Sequence, residues 1–378
     1  MRIANTIISI TLSLFAHGAS AAPLLLNKTP TVSSYLIGTY TDSINQGILL
    51  LRFDTDSMQL SSKVVVSRIH NPSFVITNRA RTVIYAVESA VEGKINAFSS
   101  NQNQQNLTLL NSSKSFGNHP CYIALDKNEK LLAVANYASG NFSVFETDQK
   151  GNLHFKQSVA HVGSSLDKSR QTGAHVHSLL FHPNGKQLLA ADLGTDKIHI
   201  YDVDYSSTTP ISPANPAYFK VTSGSGPRHM AIHPNGKVLY VVHELTGEIG
   251  VYLYDDGKIT HARSLSLTSP TFNGHVQAAE VRISSDGKFL YVSNRGIANN
   301  ISVFEIGLEG QLHLIQRIAT GGKTPRNFNF SSDERFLLVA NQDSNDIRLF
   351  KRDISTGRLI MTTTEIKINK PVYIFPFN

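Results

Sequence analysis

Apolar and polar positions along this chain repeat one figure, clearest over residues 226–254, GPRHMAIHPNGKVLYVVHELTGEIGVYLY. A short apolar run at 230–232 leads into a Pro-Asn-Gly turn, a β-branched and aromatic run follows at 238–242, and after ELTGE residues 249–254 alternate apolar and polar. Short runs of period two, punctuated by Gly, Asn and Pro, read as antiparallel strands joined by tight turns. A weaker run at 259–267 completes four strands in about 50 residues, the content of one propeller blade.

The figure recurs. Aligned on the residue six before each turn, its anchors are Pro72, Pro120, Val176, Pro227, Ala278, Pro325 and Pro371, spaced 46 to 56 residues apart, with second-strand runs such as KLLAVAN, KVLYVVH and RFLLVAN behind them. A fixed period of this size marks a propeller or solenoid. Six units are complete. The seventh is divided: residues 35–38, 47–53 and 60–66 supply three strands without an inner one, and KPVYIFPF at the end supplies an inner strand without a blade. The sequence thus predicts an all-β fold, a seven-bladed β-propeller of four-stranded antiparallel blades. Its ring closes by pairing the C-terminal strand with the N-terminal blade, which removes an open sheet edge.

Three stretches interrupt the pattern. Residues 205–219, YSSTTPISPANPAYF, read as a long outer loop of the fourth blade; residues 161–173 read as a loop delivering the chain into that blade; and NQNQQN at 101–106 reads as a polar inter-strand loop. No composition break marks a second domain. Residues 1–21 carry Arg2, an apolar stretch and Ala-Ser-Ala before Ala22-Pro23, the pattern of a secretory signal peptide too short to span a membrane. The expected organisation is a signal peptide at 1–21 and one propeller domain at 22–378, exported to a periplasm or beyond. No later segment is apolar enough to span a membrane. The single cysteine, Cys121, forms no internal disulfide, so the fold rests on packing.

The formal charge of +7 becomes +6 once Arg2 is removed, and Lys and Arg are spread without a run of five or more. That argues against a nucleic-acid groove and is compatible with an anionic small molecule.

Scaffold positions look alike in each repeat, so positions that differ point to a site. The residue after each anchor reads Ser73, Cys121, His177, Arg228, Ala279 and Arg326; the next reads Phe74, Tyr122, Ser178, His229, Glu280 and Asn327. Residues equally far from a hairpin turn face each other, so an offset of 16 adds Ser89, Tyr137, Leu193, Glu244, Arg295 and Gln342. On this reading His177, Arg228, His229, Glu244, Glu280, Arg295 and Arg326 converge at one mouth of the central channel. Arginine forks suit a carboxylate or phosphate, and a histidine with a glutamate suits proton transfer. The bland alternative is a set of ion pairs between blades. Other chemistries are poorly served: GSGP enters a strand rather than a helix, His175 and His177 share a strand face without a supporting zinc motif, and no G-x-S-x-G elbow occurs. His182 and His233 repeat within HPNGK turns and read as scaffold.

At GPRHMAIHPNGK, DLGTDKI, AAEVRISSDGKFLYVSNRG, TPRNFNFSSDERFLLVANQ and KPVYIF the chain resembles the seven-bladed propeller lactonase family, which includes bacterial propeller-type 6-phosphogluconolactonases and fungal carboxy-cis,cis-muconate cyclases. The resemblance runs from about Ser34 to the C-terminus. It implies catalytic roles for His177, Arg228, Glu244 and Arg326, and the varying rows add His229, Glu280 and Arg295 as residues expected to shape the substrate pocket. It also implies an anionic lactone substrate, hydrolysed without a redox cofactor or metal, Glu244 activating water with help from His177. The chain departs from the family at His243, where Asn usually precedes that glutamate. Cyclisation of an unsaturated dicarboxylate, and a non-catalytic exported binding propeller, are the alternatives.

Overall fold

Side-chain periodicity becomes strand position in a simple way. Middle strands such as Leu131–Asn136 and Phe336–Asn341 are buried at every residue, because neighbouring blades cover both faces. Outer strands such as Leu153–Ala160 and Leu312–Ala319 alternate toward solvent. The computed structural model describes residues 32–42, 47–100 and 107–377; the signal peptide read at 1–21 and the loop read at 101–106 lie outside the described residues. Among the described residues, twenty-eight strands make seven four-stranded antiparallel sheets, and no helix is long and apolar enough to cross a membrane.

The ring closes as expected. Strand Pro371–Pro376 pairs with Val32–Thr39, placing Ile37 opposite Ile374 and Gly38 opposite Tyr373, and so becomes the inner strand of the first blade. Tyr35, Ile37 and Leu51 of that blade share a core with Leu338, Ala340 and Leu349 of the last. Deleting Lys370 to Asn378 would remove Val372, Ile374 and Phe377, all at most 2 % exposed. Each is worth about 1.5–3 kcal/mol of burial, a sum comparable with a typical total stability of about 5–15 kcal/mol. The truncated protein is expected to aggregate or to melt far below the full chain in a thermal scan; an equally stable, soluble truncation would contradict closure.

The HPNGK turns are scaffold, as read. Their glycines, Gly185 and Gly236, hold φ of 77° and 72°, and the turn histidines reach the next blade: His182 Nε2 lies 2.9 Å from Gly236 O and His233 Nε2 3.1 Å from Gly287 O. One expectation fails. Residues 205–219 are not one long loop, because Ile211–Lys220 forms the outer strand of the fourth blade against Lys197–Val203. Prolines 213 and 216 are tolerated there because an outermost strand needs only one edge of its ladder.

A feature invisible in the repeat positions the site. In the blades beginning at Pro120, Val176, Pro227 and Pro325 the anchor pairs with Asn136, Asp192, His243 and Asn341, and the register then slips. A bulge leaves its residue outside the ladder and re-aims the side chain. Cys121, His177, Arg228 and Arg326 occupy these slips, at the channel wall.

Candidate active site

At the end of the channel where the inner strands begin lies a cavity of about 430 Å³, with Cys121, Tyr137, His177, Glu244, Arg295 and Arg326 in its wall. Asn71 and His119 lie in the segments leading into inner strands, Tyr40 and Ser89 each directly follow a second strand, and Arg170 comes from the loop read at 161–173. Four of the seven predicted residues, His177, Glu244, Arg295 and Arg326, therefore meet at one mouth.

Glu244 is the hub. Its Oε1 lies 2.6 Å from Arg170 Nη2, and its Oε2 lies 2.9 Å from both Arg228 Nε and Arg295 Nη2. Burial alone would raise this carboxyl, but Arg295, Arg228 and Arg170 outweigh it and bring it down to about 2. Both oxygens of an acid this strong are occupied, which suits an anchor for guanidinium groups better than a base. Glu244 and Arg228 are not register partners, as equal distance from the turn suggested. Pro227 faces His243, Arg228 stands in the bulge, and Glu244 follows the strand with its N–H on Gly226 O at 2.8 Å. Gly226 is at φ 65°, and a Cβ there would press on Leu245. Asp196 of DLGTDKI accepts the N–H of Gly226 at 2.7 Å, so that motif sets the approach to Arg228.

Three predicted residues are placed differently from expectation. Arg228 is 1 % exposed and lies behind Glu244, its guanidinium engaged with Glu244 and, through Nη1, with Ala279 O rather than forming the cavity wall. His229 and Glu280 sit one layer further along the channel: His229 Nδ1 is 3.4 Å from Glu280 Oε1, and Asn327 donates to Glu280 Oε2. Glu280 lines a separate cavity of about 560 Å³ beside the turns at the other end, with Arg282, Tyr122 and Tyr373. Successive residues on these inner strands step along the channel axis, so the second varying row lies deeper than the first. The substitution at His243 does not reach the cavity either. Its Nε2 lies 2.9 Å from Tyr252 OH inside the blade, and a Cβ on Gly250 would meet that nitrogen at 2.6 Å.

Arg326 has the opposite character. It is half-buried, stacks at 5.3 Å over the Tyr40 ring, and pairs with no carboxylate among the described residues. His177 lies in the same wall. Burial, then Arg228, His229 and Arg326, hold its pKa well below the ordinary histidine value, so it is neutral at physiological pH. His175 and His177 do not form a ligand pair: His175 stacks on Tyr137 at 4.5 Å and His177 meets the same ring edge-on at 5.3 Å. Cys121 Sγ is 3.9 Å from His177 Nδ1, but burial pushes its thiol up to about 12, so it is not a ready nucleophile.

Among the described residues one group gathers metal-type ligands, His161, Asp192 and His199, with ligand atoms within 4.8 Å of one another. It lies outside the cavity wall. His161 already bonds Asp192 and Tyr201 through its two nitrogens, and the His161 and His199 rings stack at 3.7 Å rather than pointing at a common centre.

Arg170 escaped the sequence reading because it lies in a loop that no other blade repeats. Tyr137, Ser89 and Cys121 stood in the varying rows and carried no charge to single them out.

The buried titratable groups fix an acid response. Burial brings His229 down to about 4 and His243 to about 3, against an ordinary value of 6.5. The unfolded chain binds more protons below pH 6.5, so stability falls as pH falls, by about 1.4 kcal/mol per pH unit for each histidine until its folded value is reached. Glu244, ordinarily 4.5 and here about 2, adds a further loss only below pH 4.5. Denaturant unfolding at fixed pH is therefore expected to show a plateau above pH 7 and a slope below 6.5 that steepens under 4.5. A flat profile down to pH 4.5 would contradict the burial of these groups.

The chain's relatives share this architecture. The family described as "Lactonase, 7-bladed beta-propeller" matches residues 34–376. A 6-phosphogluconolactonase of Bacillus subtilis is 33 % identical over 343 residues, covering 89 % of this chain and 96 % of that protein. One of Formosa agariphila is 36 % identical over 340 residues, covering 88 % and 96 %. The solved structure of the periplasmic gluconolactonase of Pseudomonas aeruginosa superposes with a TM-score of 0.88 at 30 % identity, covering 91 % of this chain and 99 % of that one.

Proposed function

The chain belongs to the lactonase family of seven-bladed β-propellers, and on that premise we propose that it hydrolyses the lactone of an anionic sugar acid in the cavity around Glu244. The observation that carries this reading is the charge arrangement. Arg170, Arg228 and Arg295 pair with the single carboxylate of Glu244 and Arg326 stands unpaired in the same wall, four positive charges against one, or +3 beside a neutral imidazole. An uncharged ligand has no use for such a field; an anionic lactone, and still more the oxyanion formed from it, is attracted by it.

In this mechanism water adds to the lactone carbonyl while His177 takes its proton. The carbonyl oxygen becomes an oxyanion facing the unpaired guanidinium of Arg326. The intermediate collapses, the bond to the ring oxygen breaks, and the His177 imidazolium returns the proton to that oxygen, leaving an open-chain hydroxy acid. After burial, the surrounding guanidinium charge is what depresses His177, and a substrate anion in the cavity offsets part of that charge, so the imidazole is a better base in the complex than in the free protein. Arg228 and Arg295 hold Glu244, and Glu244 holds them. The mature protein acts outside the cytoplasm after loss of residues 1–21, a reading supported by that segment's sequence and by the periplasmic setting in the name of the Pseudomonas relative.

The test is a panel of aldonolactones, phosphorylated, carboxylated and neutral, followed by proton release. Turnover is expected, with kcat/KM highest for an anionic member. Ligand-induced thermal shifts without turnover of any lactone would assign a binding protein instead, and consumption of an unsaturated dicarboxylate would assign a cyclase.

A further inference from the structure

Of the three guanidiniums that hold Glu244, Arg170 alone is delivered by a loop, and its side chain is 31 % exposed, whereas those of Arg228 and Arg295 are 2 % and 7 % exposed. The two buried arginines share Glu244 Oε2 and need its charge, since an unpaired buried guanidinium is costly. Arg170 holds the other oxygen and also donates to Tyr137 OH at 3.2 Å. If Arg170 let go, Glu244 would still be neutralised and Arg170 would still be solvated, so this is the least expensive of the three partnerships to exchange.

The loop is firmly rooted. At its start His161 lies 2.9 Å from Asp192 Oδ2 and 2.8 Å from Tyr201 OH. At its end Gln171 donates to Leu193 O at 2.8 Å, and between them Asp167 Oδ1 accepts the N–H groups of Ser169 and Arg170. A long, half-exposed side chain on a fixed base can change partner without moving the backbone, at the edge of a cavity whose other cations are enclosed or face the reacting carbonyl.

Resting on the lactonase reading, we infer that Arg170 is the specificity residue for the substrate's anionic group, a phosphate or carboxylate remote from the lactone carbonyl, which it takes in exchange for Glu244 Oε1. A guanidinium presents two parallel donors to either oxyanion, and a lysine offers only a point charge.

The experiment compares kcat and KM of wild type, Arg170→Lys and Arg170→Ala on glucono-δ-lactone, its 6-phosphate and a glucarolactone. Arg170→Ala is expected to raise KM for the charged lactones so that their kcat/KM advantage over the neutral ring shrinks by about tenfold or more, with Arg170→Lys in between. Whichever charged lactone loses more identifies phosphate or carboxylate as the group read. An equal fractional loss on charged and neutral lactones would overturn the inference and make Arg170 a brace for Glu244. So would an unchanged preference. Should no lactone be turned over by the wild type, calorimetric binding of gluconate, glucarate and 6-phosphogluconate still decides: the preference for a dianion must shrink in Arg170→Ala, and a preference that survives in the folded variant sinks the assignment.

Discussion

Replacing Glu244 by Gln is expected to destabilise the folded protein by about 3–5 kcal/mol, the cost of breaking a buried ion pair by removing one partner. Arg228 and Arg295 would be left buried beside Arg170 and Arg326 with no carboxylate among them. The sequence alone makes Glu244 the water-activating base, whose amide variant should lose turnover and keep its fold. The structure moves the main effect to stability, because three guanidiniums occupy the two carboxylate oxygens. Denaturant unfolding of Glu244→Gln against wild type measures this. A variant within about 1 kcal/mol of wild type would mean that the arginines do not depend on Glu244.

Replacing His177 by Asn should do the reverse. The residue is neutral and makes no ion pair among the described residues, so its loss should cost about 1 kcal/mol, typical of a single substitution. If it carries the proton between water and the leaving oxygen, kcat should fall by about 10²–10⁴, the usual worth of a general base and acid. KM should move little, since Arg326 and its field stay in place. A variant retaining more than about a tenth of wild-type kcat on a good lactone would shift the proton transfer elsewhere.

What the sequence disclosed and what it withheld divide along physical lines. Repetition is legible, because each blade solves the same packing problem with runs such as KVLYVVH and KFLYVSN. Ring closure followed from strands that had no partner, residues 35–38 and KPVYIF. Part of the cavity wall was legible as exceptions to the repeat: His177, Glu244, Arg295 and Arg326. Depth along the channel was not legible: Arg228, His229 and Glu280 differ from blade to blade as strongly as their neighbours do, yet they stand behind or beneath the cavity. Burial of a charge depends on what surrounds it in space, and here the surroundings are other blades. Nor was the bulge legible, since it is a slip of backbone register that leaves no residue type behind. Arg170 sits in a stretch with no counterpart in the other repeats, where comparison between blades has nothing to compare. Conversely, Pro213 and Pro216 argued too strongly against a strand, because an outer edge forgives what a middle strand does not.

Proton transfer through His177 is the step by which this cavity is proposed to open a lactone. Aldonolactones open slowly in water unaided, which supplies an internal baseline. Following a 6-phosphorylated or carboxylated aldonolactone by NMR, with no protein, with wild type and with His177→Asn at equal concentration, compares the three rates directly. The expected result is ring opening by wild type orders of magnitude above the baseline, the open-chain acid as sole product, and a rate near the baseline for the folded variant. Equal ring-opening rates for wild type and buffer, or for wild type and His177→Asn, would contradict it.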